Sequence, residues 1–302
     1  MPSPLLLALS RNRRLRAFAE SSALGQRLAR RFVAGETLED ALGAVETSRQ
    51  SGLTATLDHL GENVTTPAAA AAAAASAMGS LDALHRRGLD ANISVKLTQF
   101  GLDLDEALAA RHLRAVAEKA GQASGFVRVD MEGSAYTERT LVLALAAHRE
   151  GLPVGTVLQA CLRRTGDDLE RLIAAGMRVR LVKGAYLEPA SIAYTAKGDV
   201  DAHYRRLMMR LLEAGQMPAI ATHDPAMIAA ALAATRAAKL APERFELQML
   251  YGIRRDLQIS LRRQGWRVRV YIPYGTEWYP YFMRRLAERP ANLLFLLRNL
   301  LR

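Results

Sequence analysis

Eight short runs of β-forming residues, each followed by a longer helix-forming stretch, dominate this chain. The runs are Leu53–His59, Ile93–Leu97, Phe126–Met131, Val154–Ala160, Val179–Lys183, Ala219–Thr222, Phe245–Leu250 and Arg267–Ile272. Strands that alternate with helices pair in parallel, because each helix carries the chain back across the sheet. Eight such units in 302 residues predict an α/β fold, a closed (β/α)8 barrel of the TIM type rather than an open sheet. The first crossover helix is explicit. Thr66 can cap it, Pro67 opens it without losing a needed N–H, and Ala68–Ala75 is an unbroken run of the strongest helix former. Its small side chains suit close packing of helix on barrel. Residues 1–50 contain no strand-like run and read as an N-terminal helical segment before a barrel domain at 51–302.

The net charge of +11 suits nucleic acid, an anionic membrane surface or an anionic small molecule. The arginines are dispersed, with short clusters only at Arg11–Arg16 and Arg284–Arg289. Zinc-ligand spacing, an aromatic-rich RNA motif and a long basic tail are all lacking, so a nucleic-acid partner is not expected. The single cysteine, Cys161, excludes an internal disulfide and fits a reducing, cytoplasmic compartment. The apolar start, Leu5–Leu9, precedes its charges, the reverse of a secretory signal. The apolar stretch Ala291–Leu301 is broken by Arg298 and Asn299 and is too short to span a bilayer. Together with the basic surface it leaves peripheral contact with the inner face of a membrane as an expectation.

In barrels of this type the chemistry collects at the C-terminal ends of the strands. Polar residues recur there: Lys96; Asp130 and Glu132; Gln159; Arg180 and Lys183; Thr222, His223 and Asp224; Glu246 and Gln248; Tyr271. A polar residue on a buried strand is unfavourable unless it is paired or used, and here nearly every strand has one at the same end. Taken singly they are ambiguous. His223 reads equally as a structural histidine, Lys96 as a partner of Asp130, and Asp58, His59 and Glu62 as a mouth lining or a salt-bridge cluster.

The last unit carries the sharpest constellation. After the strand ending at Ile272, Pro273 and Gly275 make a turn, and a helix is expected from about Thr276. Tyr281, Arg284, Arg285 and Glu288 then share one helical face. Two adjacent arginines there can clamp a carboxylate, and Glu288 can fix Arg284 from one turn on. Tyr271 and Tyr281 would wall the same space. The plain alternative is a solvated Arg/Glu helix face.

Rossmann, Walker A and His-Glu-x-x-His motifs are absent from the sequence, and no His/Asp cluster demands a metal. A Schiff-base aldolase with Lys96 or Lys183 as nucleophile, and a basic membrane- or nucleic-acid-binding protein, are the competing readings of a basic barrel mouth.

The motifs Arg180-Leu-Val-Lys-Gly-Ala-Tyr186, Ala221-Thr-His-Asp224, Phe245-Glu-Leu-Gln-Met-Leu-Tyr-Gly252 and the segment Tyr271 through Glu288 together resemble the proline dehydrogenase family, from about Leu53 to the C-terminus. The resemblance is to its short monofunctional bacterial form, without an aldehyde dehydrogenase domain. It implies a flavoenzyme on a (β/α)8 barrel that oxidises L-proline to Δ1-pyrroline-5-carboxylate through FAD, with a membrane quinone as second acceptor. It further implies that Arg284, Arg285 and Lys96 grip the proline carboxylate, Glu288 holds the arginines in register, and Leu250, Tyr271 and Tyr281 pack on the ring. Asp130 would order the site beside Lys96, and Arg180 would reach the flavin N5 side. Met131, Gln159, Gln248 and Leu250 would contact the flavin. The run Val182, Lys183, Gly184, Ala185 and Tyr186 would cradle the ribityl–pyrophosphate region, with Thr222 and His223 toward the phosphates and adenosine. Nothing in the resemblance assigns a role to residues 1–50.

Overall fold

The computed structural model describes residues 29–288 together with Ser22 and Gly25, and the side chains as far as Arg285. The expected helical nature of residues 1–28 therefore lies largely outside the described residues, as does the apolar C-terminal stretch. The first described helix is α1 (Leu38–Gln50), capped by Thr37, whose hydroxyl accepts from the Asp40 amide.

Eight strands close into a parallel barrel in chain order. They are β1 (Thr54–His59), β2 (Asn92–Val95), β3 (Phe126–Val129), β4 (Val154–Gln159), β5 (Arg178–Val182), β6 (Gln216–Ala221), β7 (Glu246–Leu250) and β8 (Val268–Tyr274). Closure is made by β1 on β8, with Leu57 opposite Ile272. The crossover helices are α2 (Pro67–Arg86), α3 (Glu106–Gln122), α4 (Thr137–Arg149), α5 (Thr165–Ala174), α6 (Lys197–Ala214), α7 (Pro225–Ala237) and α8 (Arg255–Arg263). Period-two alternation divides each strand. Val127 and Val129, or Leu247 and Met249, face the helices and are buried in one apolar layer. Arg128, Asp130, Glu246 and Gln248 occupy the other phase and are buried as well.

The alanine-rich helix α2 behaves as expected. Thr66 accepts from the Ala69 amide at 3.1 Å and Pro67 takes the first turn. Ala70, Ala74, Ala77, Leu81 and Leu84 are buried at helical spacing. The two leucines contribute roughly 2 kcal/mol each by burial, and the alanines let neighbouring helices approach closely. Ala70 lies against Gly101 at the head of α3.

The eighth unit departs from the regular pattern. α9 (Trp278–Glu288) starts two residues later than Thr276, after Gly275 at φ +120°. Its Trp278, Tyr281, Phe282 and Met283 bury against Ala29, Phe32, Val33 and Leu60 in a second apolar cluster, separate from the main core. The place against β8 and β1 is filled by α1. Residues before α1 are tied to the same corner: Ala34 N–H donates to Pro273 O, and Gly275 N–H donates to Gly35 O, both at 2.9 Å. Gly252, at φ +71°, meets the Arg31 carbonyl so closely that a Cβ would stand 1.6 Å from it. Residues 29–35 and α9 thus pack together beside the strand ends where the polar residues lie. Among the described residues no helix is long and apolar enough to cross a membrane.

Candidate active site

The inward phase of the strands assembles a buried charged cluster at the C-terminal end of the barrel. Arg180, on β5, is at its centre. Its Nη1 donates to Asp130 Oδ1 at 2.6 Å, its Nε to Gln248 Oε1 at 2.5 Å, and Nη1 and Nη2 both reach Ser94 Oγ, at 3.3 and 3.2 Å. The guanidinium lies 5.2 Å from the centre of the Tyr271 ring. Tyr271 donates its hydroxyl to the other Asp130 oxygen at 2.7 Å. Burial first, and then the Asp130 charge, raise the Tyr271 pKa well above the ordinary phenol value. Tyr271 is therefore a fixed donor rather than an acid at work. Three strands, β3, β5 and β8, meet in this one Arg–Asp–Tyr unit.

Lys96, just past β2, is paired with Asp58 of β1, its Nζ lying 2.9 and 3.2 Å from the two carboxylate oxygens. The expected Lys96–Asp130 pair is thus replaced: Asp130 is taken by Arg180 and Tyr271, and acts on Lys96 only as a nearby charge. Burial opposes the Lys96 ammonium, but Asp58, Asp130 and Glu62 outweigh it and the pKa is raised. A lysine held charged is a poor nucleophile, so a Schiff-base role for Lys96 loses its premise. Lys183 is likewise held between Asp201 and Asp224, at 2.5 and 2.9 Å.

One layer nearer the mouth, Glu132 accepts from the Thr98 hydroxyl at 2.6 Å and from its amide at 3.3 Å. Burial pushes its carboxyl up to about 7, against the Thr98 hydroxyl and Lys96, which favour the charged form. Gln159 donates to the Glu132 carbonyl at 2.9 Å and is buried. Met131 is buried within the apolar core. Sequence reasoning passes over Ser94 and Thr98, and leaves Glu132 without a role. The signal was available for Ser94, which stands two residues before Lys96 at the end of β2 and shares its phase; Thr98 lies in the turn past the strand, where alternation no longer applies.

The glycine of the β5 loop is structurally required. Gly184 has φ +116°, and a Cβ on it would stand 2.3 Å from Cys161 Sγ and 3.5 Å from Gln159 Oε1. Val182 is partly buried against the core, Ala185 follows Gly184 in the half-exposed loop, and the Cys161 thiol is pushed up to about 11 by burial and by Glu188. Burial also raises the Tyr186 phenol, within the fields of Glu62 and Arg284. At the end of β6, Thr222 Oγ1 accepts from the Asp224 amide at 3.1 Å, and His223 Nε2 accepts from the Leu250 amide at 2.9 Å.

Across the mouth, Arg284 of α9 pairs with Glu62 in the β1–α2 loop, Nη2 to Oε1 at 2.7 Å and Nη1 to Oε2 at 3.3 Å. Arg285 lies 5.1 Å from the Tyr281 ring centre. Tyr281 is buried in the apolar cluster against which Tyr271 packs. The Glu288 side chain, expected to fix Arg284, lies outside the described residues; the carboxylate seen on Arg284 is that of Glu62. Among the described residues no group of His, Cys, Asp and Glu is arranged to hold a metal.

The strand ends and α9 thus gather four cationic side chains, Lys96, Arg180, Arg284 and Arg285, with the Tyr271 and Tyr281 rings and the carboxylates of Asp58, Glu62 and Asp130. A family model described as proline dehydrogenase matches residues 41–298. Proline dehydrogenase 1 of Bacillus subtilis subsp. natto is 42% identical over 299 residues, which cover 99% of this chain and 98% of that protein. The proline dehydrogenase of Deinococcus radiodurans is 42% identical over 284 residues, 91% of this chain and 90% of that one. Among solved structures, proline utilization A from Bdellovibrio bacteriovorus, inactivated by N-propargylglycine, is similar with a TM-score of 0.81 at 26% identity. That match covers 87% of this chain and 32% of the other, so this chain spans about a third of the longer protein.

Proposed function

The chain belongs to the proline dehydrogenase family of proline-oxidising enzymes, and from that premise we propose that it oxidises L-proline to Δ1-pyrroline-5-carboxylate, with FAD as hydride acceptor and a quinone as final oxidant. The observation that carries this reading is the buried Arg180–Asp130–Tyr271 unit at the strand ends, with Arg284 and Arg285 across the mouth.

The chain's own donors suit FAD. The β5 loop turns at Gly184, whose φ and whose closeness to Cys161 Sγ admit no side chain, so the loop backbone lies tight against the end of β4 beside Gln159. Lys183 offers an ammonium, and Gln159, Thr222 and His223 present polar atoms from neighbouring strand ends. This donor set replaces the glycine-rich loop of a Rossmann fold. Bound there, FAD supplies the two-electron acceptor for hydride from the ring carbon next to nitrogen.

The protein supplies position and charge. Arg284 and Arg285 would take the proline carboxylate through charge-assisted hydrogen bonds, each worth roughly 1.5–3 kcal/mol. Lys96 adds a third positive charge, kept ionised by Asp58. Arg284 must share its donors with Glu62 or exchange partners when substrate enters. Tyr271, Tyr281 and Leu250 would exclude water and pack on the ring. Asp130 holds Arg180 and Tyr271 together, and the guanidinium so held would offer its positive charge to a bound flavin. Hydride loss requires an unprotonated ring nitrogen, so turnover rises with pH.

Contact with a quinone-bearing membrane remains part of this proposal and rests on the net charge of +11. The test is proline-dependent reduction of a soluble quinone by purified protein, with and without added FAD. Turnover that follows FAD occupancy supports the reading; proline turnover by flavin-free protein contradicts it.

A further inference from the structure

Beneath the active site, the inward phase of β7 carries two buried polar side chains, Glu246 and Gln248. Arg269 of β8 places its Nε 3.1 and 3.0 Å from the two Glu246 oxygens, and its Nη1 is anchored to Ala55 O at 2.5 Å and to Asp90 at 2.8 Å. Gln248 Nε2 donates to Glu246 Oε1. Its Oε1 is then free to accept from Arg180 Nε. A continuous chain of hydrogen bonds thus runs from Asp90 at the barrel floor through Arg269, Glu246 and Gln248 to Arg180 and Asp130.

We propose that Glu246 is a positioning residue for Arg180, acting through the orientation of the Gln248 amide. This inference rests on the role given to Arg180 above. A primary amide has a donor end and an acceptor end of nearly the same shape, and its environment decides which way it points. Ionised Glu246 can only accept, so it takes the NH2 end of Gln248. The oxygen end is thereby turned to Arg180, which can only donate. Were residue 246 neutral and able to donate, the amide could turn over and present N–H to N–H at the guanidinium. Burial opposes the charge on Glu246, but Arg269, Arg128 and Arg267 outweigh it and hold the carboxyl down to about 2. The orientation signal therefore persists across the working pH range. Together with Asp130 just past β3 and Ser94 on β2, Gln248 of β7 holds the guanidinium plane over the Tyr271 ring.

The test is a double-mutant cycle on the FAD-loaded enzyme with Glu246→Gln, Gln248→Met and both together, and Arg180→Met as reference. The kcat and KM for proline are measured, together with the FAD dissociation constant and thermal unfolding of the apo protein. Each single variant should lower kcat roughly tenfold with little change in KM, and the double variant should be no slower than Gln248→Met. The FAD dissociation constant should follow the same non-additive pattern. Multiplying effects, or a Glu246→Gln variant that melts earlier with unchanged kcat, would overturn the proposal. If loss of the Glu246 charge prevents folding, Gln248→Met alone decides, since it keeps Glu246 with its arginines; an unchanged kcat there overturns the proposal too. An Arg180→Met enzyme with normal kcat would instead remove the reading of Arg180 on which the inference stands.

Discussion

Arg180 and Asp130 form a buried ion pair at 2.6 Å inside the barrel, and the second oxygen of Asp130 accepts from the Tyr271 hydroxyl at 2.7 Å. Both Asp130 oxygens and the Nε, Nη1 and Nη2 atoms of Arg180 thus have partners inside the barrel. Removing one partner of a buried pair leaves the other uncompensated, at a cost of about 3–5 kcal/mol. Asp130→Ala should therefore lower the apo melting temperature and reduce kcat by roughly a hundredfold, whereas Tyr271→Phe, which keeps ring and charge, should do less on both counts. Thermal unfolding and steady-state kinetics check this; equal losses in the two variants would contradict it.

The arginines of α9 act on a different quantity. Arg284→Met and Arg285→Met should each raise the KM for proline roughly 10- to 100-fold, the equivalent of one or two charge-assisted bonds. FAD should stay bound, because neither residue belongs to the cradle at β5 and β6. Loss of flavin with an unchanged KM would put the clamp elsewhere.

Gly184 is constrained twice, by φ +116° and by Cys161 Sγ at 2.3 Å from any added Cβ. Gly184→Ala should destabilise the apo protein by about 1–3 kcal/mol and weaken FAD binding. Adding Cys161→Ala should restore only part of the loss, because it relieves the clash and leaves the backbone strain. Complete restoration would show that the left-handed conformation is unimportant. Unfolding and FAD titration of the three variants separate these outcomes.

Glu132 gives a pH signature. Its carboxyl, ordinarily ionised above about 4.5, keeps its proton up to about 7 in the folded chain, chiefly through burial. Between those values the folded state binds more protons than the unfolded state, so stability falls as pH rises through the window. The penalty is fully developed above pH 7 and amounts to roughly 3 kcal/mol. Glu132→Gln preserves an acceptor for the Thr98 hydroxyl and abolishes the titration. Unfolding measured from pH 5 to 8 should slope downward for the parent and less so for the variant; identical slopes would contradict the assignment.

The barrel was legible because eight strand runs and their crossover helices each obey a local rule, and the structure keeps their order. β6 shows the limit. It begins at Gln216, ahead of the expected Ala219, and passes through Met217 at φ +48° and Pro218, which locally read as a turn. Proline is tolerated at a strand's start or a bulge, and the β5–β6 register shifts there. In the site, the inward residues Arg180, Asp130 and Tyr271 were visible from strand phase and family motif together. Their partners were not. Whether Lys96 meets Asp58 or Asp130, and whether Arg284 meets Glu62 or Glu288, depends on barrel closure and on where α9 lies. Sequence spacing does not encode either. The Glu246–Gln248–Arg180 chain is likewise non-local, its two β7 residues standing 66 and 68 positions from Arg180.

If proline delivers hydride to a flavin held by this barrel, as proposed, anaerobic mixing of the purified FAD-loaded protein with L-proline should bleach the visible flavin band in a single saturable step. That step should be slowed by roughly a hundredfold in Arg180→Met. A flavin band that proline leaves unchanged without oxygen, in protein that retains its FAD, would contradict it.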